Sequence, residues 1–172
     1  MNYSKWPVEI KDFNSGSYTV RYSNLYGRIT EKTVLIPATK QYELALCPDE
    51  LNEHPQNSLA QLQNGEMIKI TFSSQGCFHD VKEVLSLTKQ KDAFVATLSY
   101  DGKLKTRMLD STKLKAFRRF ENELIAIRDR GGCTTTDFYA FVSKTMTFRK
   151  VDGGCEWKGF YLLKKVLFGK LD

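Results

Sequence analysis

Four runs of alternating character follow one another between residues 67 and 110, and they restrict the fold more than any other part of the chain. They are "MIKITFSS" (67–74), "VKEVLSLTK" (81–89), "AFVATLSY" (93–100) and "LKTRMLD" (104–110). Strand side chains point alternately to opposite faces, so runs of this kind gather their apolar members on one side. "QKD" joins the second run to the third, and "YDGK" joins the third to the fourth. Connections this short admit only antiparallel neighbours, and Asp-Gly between β-rich runs is a strong hairpin signal. The segment reads as an antiparallel meander.

The residues that follow offer this sheet a cover. In "DSTKLKAFRRFENELIAIRDRGG", Asp110 or Ser111 can accept a hydrogen bond from a first-turn N–H. Leu114, Phe117, Phe120, Leu124 and Ile127 recur at steps of three and four and make one apolar stripe. Gly131 and Gly132 then supply a positive-φ stop. "CTTTDFYAFV" (133–142) and "TMTFRKV" (145–151) form a second hairpin. Trp157, Phe160, Leu163 and Leu167 mark a short amphipathic helix ended by Gly169.

Upstream, "SYTVRYSN" (17–24) and "RITEKTVLIPA" (28–38) flank a glycine turn as a hairpin would, and "KQYELALC" (40–47) reads as a half-buried strand. Residues 48–65 are polar and read as a mobile loop with one helical turn at "SLAQL". The expected fold is one α+β domain over residues 1–172. Its antiparallel sheet takes the N-terminal hairpin strands, the meander and the late hairpin, with both amphipathic helices on one face. The 41% of hydrophobic residues suffices for a core, and a chain of this size buries roughly two-thirds of its unfolded surface.

The segments "QGCF", "LKAFRRFENEL" and "DGGCEWKGF" fall in this strand, helix, hairpin and helix order. In that respect residues 67–168 loosely resemble small uncharacterised domains of bacterial envelope proteins. The resemblance implies the fold and an envelope setting, and no activity.

Charge is distributed unevenly. Residues 1–100 hold 10 Lys/Arg and 11 Asp/Glu, whereas residues 101–172 hold 16 and 9, so the net +6 comes entirely from the C-terminal part. Such a field favours acidic protein faces, nucleic acid or anionic headgroups. Lys113, Lys115, Arg118 and Arg119 lie off the apolar stripe of the long helix, and Lys164 and Lys165 lie on the last helix. These six are the expected binding residues, and the expected partner is a protein with an acidic face. No zinc-finger, RNP or helix-turn-helix signature supports nucleic acid. The aromatic residues sit at core-type spacing.

"TFSSQGCFHD" (71–80) places Cys77, His79 and Asp80 close together. A thiolate with an imidazole base is the enzymatic reading, a cysteine-dependent hydrolase. Residues i and i+2 of an extended chain lie near 7 Å apart, too far for a direct S–N hydrogen bond. A Ser73 or Ser74 nucleophile lacks the Gly-x-Ser-x-Gly elbow. Cys77, His79, Cys133 and Cys155 make a Cys3His zinc set in number, without the close C-x2-C pairs of a knuckle. Cys133 and Cys155, each preceded by Gly-Gly, flank the late hairpin and can form a disulfide, or all four cysteines can stay free as small buried hydrophobes. No cofactor is expected, and no P-loop, GxGxxG or HExxH occurs.

The sequence expectation is therefore a non-enzymatic interaction module, of the kind found among bacterial inhibitors and immunity proteins. No apolar run approaches the roughly 20 residues of a membrane span. A native Met1 implies the cytoplasm, and a trimmed mature chain the periplasm or envelope.

Overall fold

The computed structural model describes residues 14–38, 43–46, 51, 56–129 and 131–170. Cys47, His54 and most of the polar 48–55 stretch lie outside the described residues, as does part of the strand expected over 40–47.

Among the described residues eleven elements run β1 (Gly16–Ser23), β2 (Ile29–Ile36), α1 (Ser58–Gln61), β3 (Met67–Gly76), β4 (His79–Gln90), β5 (Ala93–Tyr100), β6 (Lys103–Leu109), α2 (Ser111–Ala126), β7 (Thr135–Val142), β8 (Thr147–Asp152) and α3 (Gly159–Phe168). All pairings are antiparallel, and the main sheet has the order β6-β5-β4-β3-β7-β8. The meander is present as expected. The β5–β6 turn places both Asp101 and Gly102 at positive φ, 47° and 70°, the backbone that a two-residue hairpin with right-handed strand twist requires.

Two expectations are corrected. The N-terminal hairpin does not join the main sheet: β1 and β2 pair with each other in a separate two-stranded sheet. Its tip is tied in by Tyr26, which is buried in the main core, and by the Arg128 N–H donating to the Tyr26 carbonyl at 2.8 Å. Residues 43–46, the described part of the expected third strand, are in no strand.

The main sheet is covered on one face. Ile68, Ile70, Leu85, Leu87, Ala96, Leu98 and Phe141 point to this side and are fully buried. Phe117, Phe120 and Leu124 of α2 and Phe160, Leu163 and Leu167 of α3 meet them. An aromatic cluster joins the layers: Phe160 lies 4.6 Å from Phe72 and 5.9 Å from Phe120, and Trp157 stacks on Phe120 at 5.7 Å (ring centroids). Such pairs add about 0.5–1.5 kcal/mol each beyond the area they bury. Neither helix lies on the opposite face of the sheet, where Leu104 and Met108 are exposed.

The caps settle where α2 begins and ends. Asp110 is the N-cap, its Oδ1 accepting from the Lys113 N–H at 2.9 Å. The helix stops at Ala126, before the glycines expected to end it. Its last carbonyls are claimed by side chains from elsewhere. Arg28 Nε donates to the Ala126 carbonyl at 2.9 Å, and Lys150 Nζ donates to those of Ile125 and Ile127 at 2.6 and 3.1 Å. Cations at a helix C-terminus satisfy orphan acceptors and the negative dipole end together. Gly131 and Gly132 do adopt positive φ, 60° and 93°. They serve the turn into β7 instead.

Candidate functional site

The helices carry the candidate site. On α2, Lys115, Arg118 and Arg119 occupy one exposed face at i, i+3 and i+4, opposite the buried stripe. The six sequence-predicted cations do not behave alike. Lys113 is half-buried and paired with Asp110, whose carboxyl is held below its ordinary value chiefly by hydrogen bonds from the Lys113 side chain and backbone. Arg119 Nε donates to Glu123 Oε1 at 2.6 Å while most of its side chain stays in water. Among the described residues no salt bridge engages Lys115 or Arg118.

Lys164 points inward. Its Nζ donates to Glu83 at 2.7 Å with both side chains almost wholly buried, and it sits 5.1 Å from the Phe160 ring centroid. The neighbouring Lys165 is exposed. Of the predicted set, Lys115, Arg118, Arg119 and Lys165 thus face solvent, and Lys164 belongs to the core.

Glu121 and Glu123, two apart on α2 and so no acid/base dyad by sequence, are both buried, which the sequence does not signal because an Asp or Glu in a helix ordinarily marks a solvated face. Glu123 receives Arg119 on one oxygen and the indole N–H of Trp157 on the other, at 2.9 Å. It locks the residue leading into α3 against α2. Glu121 is fully buried and accepts from the Ser58 hydroxyl and the Ser58 N–H, so it ties α1 down. Burial pushes its carboxyl up, and the Ser58 hydrogen bonds oppose that rise.

The "QGCF" segment forms the β3–β4 hairpin tip. Gly76 pairs with His79, and Cys77 and Phe78 make the turn between them. Cys77 is a free exposed thiol, and Phe78 is completely exposed. His79 folds back so that its Nε2 lies 3.0 Å from Ser74 Oγ. A Cβ at position 76 would come 2.6 Å from the His79 ring, so the glycine is what lets the imidazole lie there. The imidazole therefore partners Ser74, and no hydrogen bond joins it to Cys77 among the described residues.

Cys133 and Cys155 stand at disulfide distance with Cα atoms 5.7 Å apart, beside the hydrogen bond from the Cys133 N–H to the Gly153 carbonyl. This separation is typical of a bridge. Among the described residues no group of three or more His, Cys, Asp or Glu is gathered to hold a metal.

A further acidic pair lies under the β7–β8 edge. Asp137 and Asp152 face each other across the strands, and the Tyr139 hydroxyl donates to Asp137 at 3.4 Å. Burial first, then the charges of Asp137 and Asp129, push the Asp152 carboxyl up. Burial and the charges of Asp137 and Asp152 push the Tyr139 hydroxyl far above its ordinary value.

No helix among the described residues is long and apolar enough to cross a membrane. Comparison of the chain with protein-family profiles, curated proteins and solved structures found no match in any of the three.

Proposed function

We propose that this protein is a non-catalytic binding module of the inhibitor or immunity type, and that it takes an acidic partner protein on the outward face of α2. The observation that carries the reading is the row Lys115, Arg118 and Arg119, exposed at i, i+3 and i+4 on a helix whose other face is fixed in the core. Lys115 and Arg118, which no salt bridge engages among the described residues, and Arg119, which also bridges Glu123, are held on a rigid element that can attract an acidic surface and set its orientation. The uneven charge, +7 in residues 101–172 against −1 before them, directs the long-range field to the same side of the chain. The Cys133–Cys155 bridge supports an oxidising compartment, in keeping with the envelope setting that residues 67–168 resemble.

The test is the double reversal Lys115→Glu with Arg118→Glu, assayed by binding to poly-glutamate and, in parallel, to duplex DNA. Expected are poly-glutamate binding that weakens with salt, a loss of about tenfold in the variant, and a stability change within about 0.5 kcal/mol. Unchanged affinity, stronger retention of DNA than of poly-glutamate, or an equal collapse of stability each contradicts the proposal.

A further inference from the structure

α3 has apolar residues on both of its sides. The inward side is spent on the core: Phe160, Leu163 and Leu167 are buried against the sheet and α2. On the outward side Tyr161, Leu162 and Val166 are 62%, 54% and 44% exposed. Lys158, Tyr161, Leu162, Lys165 and Val166 stand at steps of three and four, so they form one continuous outer stripe. A helix that is apolar all round belongs in an interior, and one that shows such a stripe to water is missing a cover.

The charges around the stripe indicate what the cover is. Lys158 and Lys165 are exposed within it. From the neighbouring edge strand, Lys105 Nζ reaches the Lys170 carbonyl at 2.8 Å, bringing a third ammonium to its C-terminal end. The stripe itself contains no carboxylate. A second copy meeting it two-fold would set lysines against lysines. A bilayer surface takes up a helix by its most apolar face, and in α3 that face is already buried.

From this we infer that the outer stripe of α3 is the apolar anchor of a protein interface. Its occupant is an acidic amphipathic segment that lays aliphatic side chains on Tyr161, Leu162 and Val166 and carboxylates on Lys158 and Lys165. An apolar centre with a charged rim is the ordinary anatomy of such an interface, and an exposed tyrosine at its centre is a typical hot spot. The inference rests on the acidic-partner reading above and deepens it. α2 supplies the attraction, and α3 supplies the contact that holds. Glu123, bound to both Arg119 and Trp157, keeps the two outward faces in fixed relation.

The probe is a synthetic helical peptide of about 18 residues with leucines on one face and glutamates flanking them. A scrambled peptide of the same composition, vesicles of phosphatidylserine and phosphatidylcholine, and sedimentation of the protein alone are the parallel arms. The variant Tyr161→Gln/Leu162→Gln/Val166→Gln keeps helix propensity and touches no buried residue. Expected is binding of the amphipathic peptide at least about tenfold tighter than of the scrambled one, with that advantage lost in the glutamine variant. Equal binding of both peptides, or an unaffected glutamine variant alongside a weakened Lys115→Glu/Arg118→Glu variant, overturns the α3 anchor and leaves the α2 reading standing. A glutamine variant that loses binding while the charge reversal loses none supports the anchor and overturns the α2 reading. No peptide binding at millimolar concentration, tighter stripe-dependent binding to the vesicles, or a dimer that the glutamine variant dissociates each overturns the inference.

Discussion

α2 and α3 lie on the same face of the same sheet, pack against each other, and each buries a stripe of aromatic and aliphatic side chains. Their outward faces differ. α2 shows water a row of cations with no large hydrophobic among them, whereas α3 shows Tyr161, Leu162 and Val166 between two lysines. Inward packing is therefore satisfied twice by one strategy, and the difference outside is not needed for folding. An outward-facing apolar group gains nothing from the core it turns away from. The contrast marks α3 as the element with unfinished contacts and α2 as the element that attracts.

Adjacent lysines on α3 sharpen this contrast. Lys164→Met leaves Glu83 buried without its cation, and removing one partner of a buried pair costs about 3 kcal/mol or more. Urea unfolding should show that loss, and replacing Glu83 by Leu in the same chain should restore most of it. Lys165→Met, one residue on, should change stability by under about 0.5 kcal/mol. Similar effects at both positions would mean that the inward and outward sides of α3 are not distinct.

A smaller effect concerns Glu121. Its carboxyl is raised in the folded protein, so the unfolded chain loses that proton first as pH rises. Its contribution to stability is therefore largest below the ordinary value of 4.5, and it declines as pH climbs from there through the higher folded value. Glu121→Gln, which still accepts from Ser58, should remove that decline and leave the protein at least as stable at neutral pH. Unfolding midpoints measured from pH 4 to 7 decide it. A decline of the same size in the variant would assign the pH dependence elsewhere, with Asp152, also raised by burial, the next group to replace.

Much of this architecture was legible in the sequence because it is local. The meander follows from period-two runs and short turns, the buried face of α2 from Phe117, Phe120 and Leu124, and the end of α3 from Gly169, which caps it at φ 74°. What was not legible depends on distant partners. The end of α2 is set by Arg28 and Lys150, far away in the chain. The place of β7 beside β3 is a pairing across roughly 65 residues that no local pattern encodes, and so is the separation of β1 and β2 into their own sheet.

The candidate site divides along the same line. Lys115, Arg118 and Arg119 lie off the apolar stripe of α2 by helical spacing, and all three are exposed. Lys164 has the same spacing signal as a surface lysine, and only the approach of Glu83 from another element takes it inside. The outer stripe of α3 is masked in the sequence by the first, because Trp157, Phe160, Leu163 and Leu167 already account for one apolar face. The remaining apolar residues of the helix were the signal that a second face existed.

Chemical-shift mapping of the amphipathic acidic peptide onto the protein tests the account most directly. It reads the methyl groups of Leu162 and Val166 together with the side-chain N–H of Arg118 and Arg119. The account predicts that all four move along one saturation curve, with the Phe78 hairpin tip and the opposite face of the sheet unmoved. Shifts centred on Phe78, or on Leu104 and Met108 of that opposite face, with the α3 methyls still, would contradict it.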